Sequence, residues 1–249
     1  MSDIRHAPRV FLDADVRAGE AISVSSDQAH YLQHVMRLKC GDALRVFNGR
    51  DGEWQAAIGM ISKRGVEIVP GASLKPQAAE PDLELCCAPI KKAHFDFLIE
   101  KATELGVSAI RPVLTARAQV REVNTERLRA LAIEAAEQSE RMSIPVIHKP
   151  VTLTQLIAQW PPGRLPVVCA EWGEAAPIKK ALEAAAGGTS KASIITGPEG
   201  GFEADEMEVL RAFKNAVFVR LGPRILRADT AAIAALSCWQ AMCGDWLQS

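Results

Sequence analysis

The chain has 249 residues, 48% of them apolar and 24% charged, which suits a packed core in one large domain or two modest ones. Its formal charge of -1 excludes a chain-wide polyanion binder but leaves room for a local basic face. No apolar run approaches the ~20 residues that cross a bilayer, and Met1-Ser2-Asp3-Ile4-Arg5-His6 lacks the apolar stretch of a signal peptide, so a cytoplasmic protein with no membrane contact is expected.

The amino-terminal segment reads as short strands: Arg9 to Leu12, Ala21 to Val24, Ala43 to Phe47 and Glu53 to Ile58. The turn signals Asn48-Gly49 and Asp51-Gly52 separate the later ones. Between them Asp27 is placed to cap one helix, Gln28 to Val35. The pattern predicts a small β-barrel over 1–72. Arg5, Arg9, His34, Arg37, Lys39 and Arg50 are its candidates for an RNA-contacting patch, against the alternative of ordinary solvated surface. Residues 73–81, proline-bearing and polar, read as a linker or a closing strand.

From Asp82 strands and helices alternate. Strands are expected at Leu83 to Ile90, Ala109 to Leu114, Pro145 to Ile147 and Pro166 to Glu171. Helices are expected at His94 to Leu105, Asn124 to Gln138, from a Thr152 cap to Trp160, and Pro177 to Ala186. Ala184-Ala185-Ala186-Gly187-Gly188 reads as a helix end running into a loop. The alternation predicts an α/β domain over 82–249 with a parallel sheet of about six strands.

Two loops at its end carry the chemistry. Ala192 to Ile195 is a strand that runs into Thr196-Gly197-Pro198-Glu199-Gly200-Gly201-Phe202, with a helix from Ala204. Val217 to Leu221 is a second such strand, ending at Gly222-Pro223-Arg224-Ile225-Leu226-Arg227, and Asp229 or Thr230 is placed to cap the last helix. Either loop alone could be a tight turn without a ligand. Two of them in a strand-loop-helix succession open on one edge of a parallel sheet, which is where such sheets bind ligands. No Lys or Ser/Thr follows the last glycine, and Glu199 would repel a triphosphate, so the loop suits a ligand with little anionic charge or one carrying a positive centre.

The six cysteines (Cys40, Cys86, Cys87, Cys169, Cys238, Cys243) show no CxxC or other metal spacing, and most lie in apolar segments where a free thiol packs as a small hydrophobe. The five histidines are scattered, so no metal site is expected.

With both loops in view, the chain resembles the RsmE family, SPOUT-class methyltransferases that modify N3 of one uridine in 16S ribosomal RNA of the small subunit. Ile195 to Phe202 and Leu221 to Arg227 look like its paired signature. Glu100 to Val107, Glu134 to Ser139 with Arg141 and Pro145, and the early Arg9-Val10-Phe11 and His30 to Leu38 are similar to it as well. The resemblance covers nearly the whole chain. It implies a PUA-like RNA-binding barrel followed by a SPOUT domain with a deep trefoil knot, and a homodimer with its active site at the subunit interface. It implies S-adenosylmethionine held in a bent form, and the RNA or the 30S subunit as partner. One departure stands out: Ala228 and Asp229 occupy positions where the family usually has Thr and Glu.

The resemblance also assigns roles. Thr196, Gly197, Pro198, Glu199, Gly200, Gly201, Leu221, Gly222, Ile225, Leu226, Arg227 and Thr230 would bind the cofactor, with Ile225 and Leu226 around the adenine unless they only pack in the core. Arg9, Arg37, Arg50, Arg117 and Arg224 would contact RNA. Uridine N3 carries a proton, so a base or a nearby cation must favour its anion. Arg227, Glu199 and Arg141 are the catalytic candidates: Arg227 and Arg141 as cations, Glu199 as base or as a brace for the loop or the cofactor's amino group. Gln138 and Arg141 end a helix, reaching a partner's site or simply solvent. Two other readings stay open, a SPOUT enzyme for another RNA or for a ribose 2′-hydroxyl, and a ribosome-assembly module without catalysis. The intact pair of glycine loops bears against the second.

Overall fold

The computed structural model describes residues 4–62, 65–170, 175–185 and 191–247, which form two compact units. The first comprises Met1–Ala79 and Ala136–Ile144, the second Glu80–Ala135 and Pro145–Ser249. The expected strand end at Glu171 and the segment from Ala186 to Gly188 lie outside the described residues.

In the first unit, β1 (Arg9–Phe11), β2 (Ile22–Ser23), β3 (Ala43–Phe47), β4 (Glu53–Ser62) and β5 (Gly65–Lys75) form one sheet in the order β1-β3-β4-β5-β2. Only β1 and β3 run parallel. The strands share one core of Val10, Leu12, Leu44, Val46, Ala56, Ile58, Val66 and Ile68, so the sheet wraps around a single apolar centre. The stretch before Pro76 is therefore strand to Lys75, the closing strand of the two readings. A short helix α1 (Ser26–His30) passes into a π-helical turn at Tyr31–Val35. The helix is capped two residues earlier than the sequence suggests: Ser25 Oγ, not Asp27, accepts from the Gln28 N–H at 3.3 Å.

Glu53 is a buried charge of this unit, with its side chain 1% exposed. Arg9 Nε donates to Glu53 Oε2 at 2.6 Å and Arg45 donates to Oε1 at 3.2 Å. Burial pulls the Arg9 pKa down, and Glu53 opposes that pull. The same Arg9 guanidinium donates to the Ala136 and Arg141 carbonyls at 2.8 and 2.7 Å, satisfying acceptors that a helix end leaves bare. Removing the carboxylate strands two desolvated cations. Glu53→Gln is therefore expected to lower stability by about 3–5 kcal/mol in denaturant unfolding; a loss below about 1 kcal/mol would show the cluster to be dispensable.

The second unit is built on β6 (Asp82–Cys87), α2 (Lys92–Glu104), β7 (Ala109–Leu114), α3 (Thr125–Gln138), β8 (Val146–Ile147), β9 (Val151–Thr152), α4 (Leu153–Ala158) and β10 (Leu165–Cys169). It continues with β11 (Ala176–Pro177), α5 (Ile178–Ala185), β12 (Lys191–Thr196), α6 (Ala204–Ala212), β13 (Val217–Arg220) and α7 (Ala228–Cys243). The last turn of α3 is counted with the first unit. Among the described residues eight strands, not six, form the sheet, in the order β11-β13-β10-β12-β6-β7-β8 with β9 beside β7. The extra ones are two-residue strands, too short to show a period. All pairings are parallel. Cys86, Val168 and Ile195 pack with Leu210 beneath the helices, and α7 lays Ala232, Ala235, Leu236 and Trp239 into the interior. No helix of the described residues is long and apolar enough to cross a membrane.

Candidate functional site

The loops after β12 and β13 flank the end of β10, because β10 lies between those strands in the sheet. Together they enclose a cavity of about 520 Å³. Thr196, Gly197, Pro198, Gly200 and Gly201 line one side, Leu221, Gly222, Ile225 and Leu226 the other, and Cys169 and Ala170 the end of β10. Phe202, Met207 and Val219 add apolar wall, while Arg117, Arg220 and Arg224 stand at the polar edge.

The first loop holds its shape through its glycines. Gly201 adopts φ +68 and donates its N–H to the Pro198 carbonyl at 2.9 Å, closing the turn. A side chain on Gly197 would meet the Phe202 ring at 3.2 Å, so the ring closes directly over bare backbone. Arg117 donates to the Gly200 carbonyl at 2.6 Å, and Glu206 accepts from the Ala116 N–H at 2.8 Å. These bonds tie the loop to the segment after β7. In the second loop Gly222, at φ +101, supplies the left-handed turn after β13. The Cys169 thiol is pushed up to about 12 by burial, so it is not a nucleophile at neutral pH.

A second cavity of about 330 Å³ is lined by Ile90, Lys91, His94, Glu199, Arg227, Ala228 and Asp229, and Ala228 lines both. Glu199 and Arg227 thus face this chamber rather than the loop cavity. Among the described residues their side chains have no ion-paired or hydrogen-bonded partner. The chamber lies where the first turns of α2 and α7 meet, since those helices pack together. There His94 Nδ1 lies 2.8 Å from Asp229 Oδ2.

Several expected roles change. Asp229 is not the cap of α7, because Arg227 occupies that position; Asp229 sits in the first turn, 7% exposed, held by His94 and by the Thr230 N–H at 2.7 Å. Thr230 lines neither cavity and bonds to Asp229 instead. Arg9 is 6% exposed and spent on Glu53 and carbonyls, so it is not a surface RNA contact. Arg141 is buried in the first unit, where it donates to Ser143 Oγ at 3.1 Å, and it lines neither cavity. Arg117 braces the loop. Arg37 and Arg50 are exposed, the latter paired with Asp15 at 3.0 Å. His94 and Lys91 were missed: nothing in spacing signals a pair 135 residues apart.

Burial alone would raise the Asp229 carboxyl, but the hydrogen bonds from His94 and the Thr230 amide hold it below its ordinary value. Such a group contributes stability that is complete above its unfolded pKa of about 4 and is lost as pH falls through the lower folded value. The stability gap between wild type and Asp229→Asn in urea should therefore be full above about pH 5 and close below about pH 4. A gap that does not change over that range would contradict the assignment.

Comparison with known proteins accords with this geometry. A model of the RNA methyltransferase domain matches residues 78–240, and one of the RNA methyltransferase PUA domain matches residues 24–71. Ribosomal RNA small subunit methyltransferase E of Rickettsia conorii is 37% identical over 92% of this chain and 93% of its own length. The protein of that name from Synechocystis is 32% identical, over 93% and 74%. The crystal structure of the Neisseria gonorrhoeae protein of that name, bound to S-adenosyl methionine, superposes with a TM-score of 0.86 at 25% identity, covering 97% of this chain and all of that one. Two glycine loops on a parallel sheet edge, a PUA domain ahead of them and full-length similarity together make this chain a member of the ribosomal RNA small subunit methyltransferase E family.

Proposed function

We propose that the chain transfers a methyl group from S-adenosylmethionine to N3 of a uridine in the 16S RNA of the small ribosomal subunit. The observation that carries this reading is the cavity between the two glycine loops, in a chain whose relatives are named for that RNA.

The residues present fit the cofactor. A volume of about 520 Å³ lies within the range of roughly 300–1,000 Å³ typical of small-molecule sites. Thr196, Gly197, Pro198, Gly200 and Gly201 from one loop, and Leu221, Gly222, Ile225 and Leu226 from the other, would hold it. Their backbone N–H and C=O groups suit an adenine edge, and Phe202, Ile225 and Leu226 suit its faces. No Lys and Ser/Thr follow the last glycine as in a phosphate cradle, in keeping with a ligand that has no phosphate. When bound, S-adenosylmethionine supplies an electrophilic methyl group on a cationic sulfur.

The chain supplies position and charge. Arg227 and Lys91, facing the second chamber, favour an acceptor nitrogen that has lost its proton. The inert Cys169 weighs against covalent attack on a pyrimidine carbon. Arg37, Arg50 and Arg224, all exposed, are proposed contacts for the RNA backbone. The same reading includes a trefoil knot, a homodimer and a cytoplasmic location. The insertion of β12 between β6 and β10, both earlier in the chain, supports the first of these.

Calorimetric titration tests the cofactor site. Wild type should bind S-adenosylmethionine, and Gly222→Val, which forces a branched side chain to φ +101, should weaken that binding by about tenfold or more. Equal affinity of the two proteins, or no binding by wild type, would overturn the assignment.

A further inference from the structure

The second chamber carries more than the two loops explain. It contains a carboxylate-imidazole pair, His94 with Asp229, beside two cations, Lys91 and Arg227, and the carboxylate of Glu199. Each comes from a helix start or loop of the second unit: Lys91 and His94 from the start of α2, Arg227 and Asp229 from that of α7, and Glu199 from the loop after β12. The imidazole is 41% exposed while the Asp229 side chain is 11% exposed, so the ring is the accessible member of the pair.

Asp229 fixes which edge of that ring is offered. It sits in the first turn of α7, where the helix N-terminus favours an anion. A carboxylate opposite Nδ1 takes a hydrogen bond from an Nδ1–H, which leaves Nε2 with its lone pair free. Nε2 and the Glu199 carboxylate are then hydrogen-bond acceptors in a chamber that also offers the donors of Lys91 and Arg227. Uracil presents partners for both kinds of group at its Watson–Crick edge: a ring N–H between two carbonyl oxygens.

We propose that this chamber receives the acceptor uracil and that His94 Nε2 accepts the N3–H hydrogen bond and then its proton. The inference rests on the methyltransferase reading above. As His94 Nε2 takes the proton, the freed N3 electron pair forms the bond to the methyl carbon. The carbon–sulfur bond breaks and its electron pair leaves with the sulfur. The positive charge passes from sulfur to the imidazolium, facing the Asp229 carboxylate, and solvent later removes the proton. Lys91 and Arg227 steady the negative charge that develops on the uracil oxygens during transfer.

The test replaces His94 by a residue that can still donate to Asp229 but offers no acceptor. His94→Lys should lower kcat by about 100-fold or more, remove the acid limb of the pH–kcat profile, and leave calorimetric binding of S-adenosylhomocysteine unchanged. His94→Gln, which keeps a neutral polar side chain, carries the same expectation if the lysine variant fails to fold. A readout without turnover uses nitrogen NMR of the imidazole in the complex with S-adenosylhomocysteine. Its signal should shift with an oligonucleotide bearing the target uridine and not with one bearing N3-methyluridine. A variant within about threefold of wild-type kcat, or an imidazole signal indifferent to both oligonucleotides, overturns the proposal. Wild type that transfers no methyl group at all would instead sink the methyltransferase reading.

Discussion

The parallel pairing of β12 with both β6 and β10 is the constraint on which the rest depends. Its register sets Ile195 opposite Cys86 on one side and Val168 on the other, and Val168 in turn lies opposite Phe218 of β13. Strands aligned this way end at one edge, so their following loops emerge together. Two loops well apart in the chain then meet across the end of β10, whose Cys169 and Ala170 join the cavity lining. Buried apolar residues, not the loops, enforce that register. A one-residue slip would turn Ile195 and Val168 from the packed face to the other.

What the sheet brings together, the helices divide. Ala228, in the first turn of α7, lines both the loop cavity and the charged chamber. The residues proposed to hold the cofactor thereby line one cavity, and those proposed to manage a proton line the other. Beside Ala228, Asp229 has a histidine opposite its carboxylate.

Local patterns were legible in the sequence, and distant partnerships were not. Ala109 to Leu114, Ala204 to Ala212 and both glycine loops follow from periodicity, turn chemistry and caps that act within a few residues. The capping box at Thr152 and Gln155 is of the same kind. Arg9 was misread as surface because Glu53, the partner that permits its burial, stands 44 residues away. The placement of Glu199 and Arg227 in a separate chamber depends on how α2 and α7 pack, which no single segment encodes. Short strands such as β8, β9 and β11 exist only because neighbours pair with them.

The central claim is that the paired loops and the adjoining chamber transfer a methyl group to one uridine nitrogen. The most direct measurement is mass mapping of small-subunit RNA after incubation with the purified protein and isotopically labelled S-adenosylmethionine. The account predicts label at a single uridine, carried on N3. Label on a ribose 2′-hydroxyl, on another base, or nowhere would contradict it.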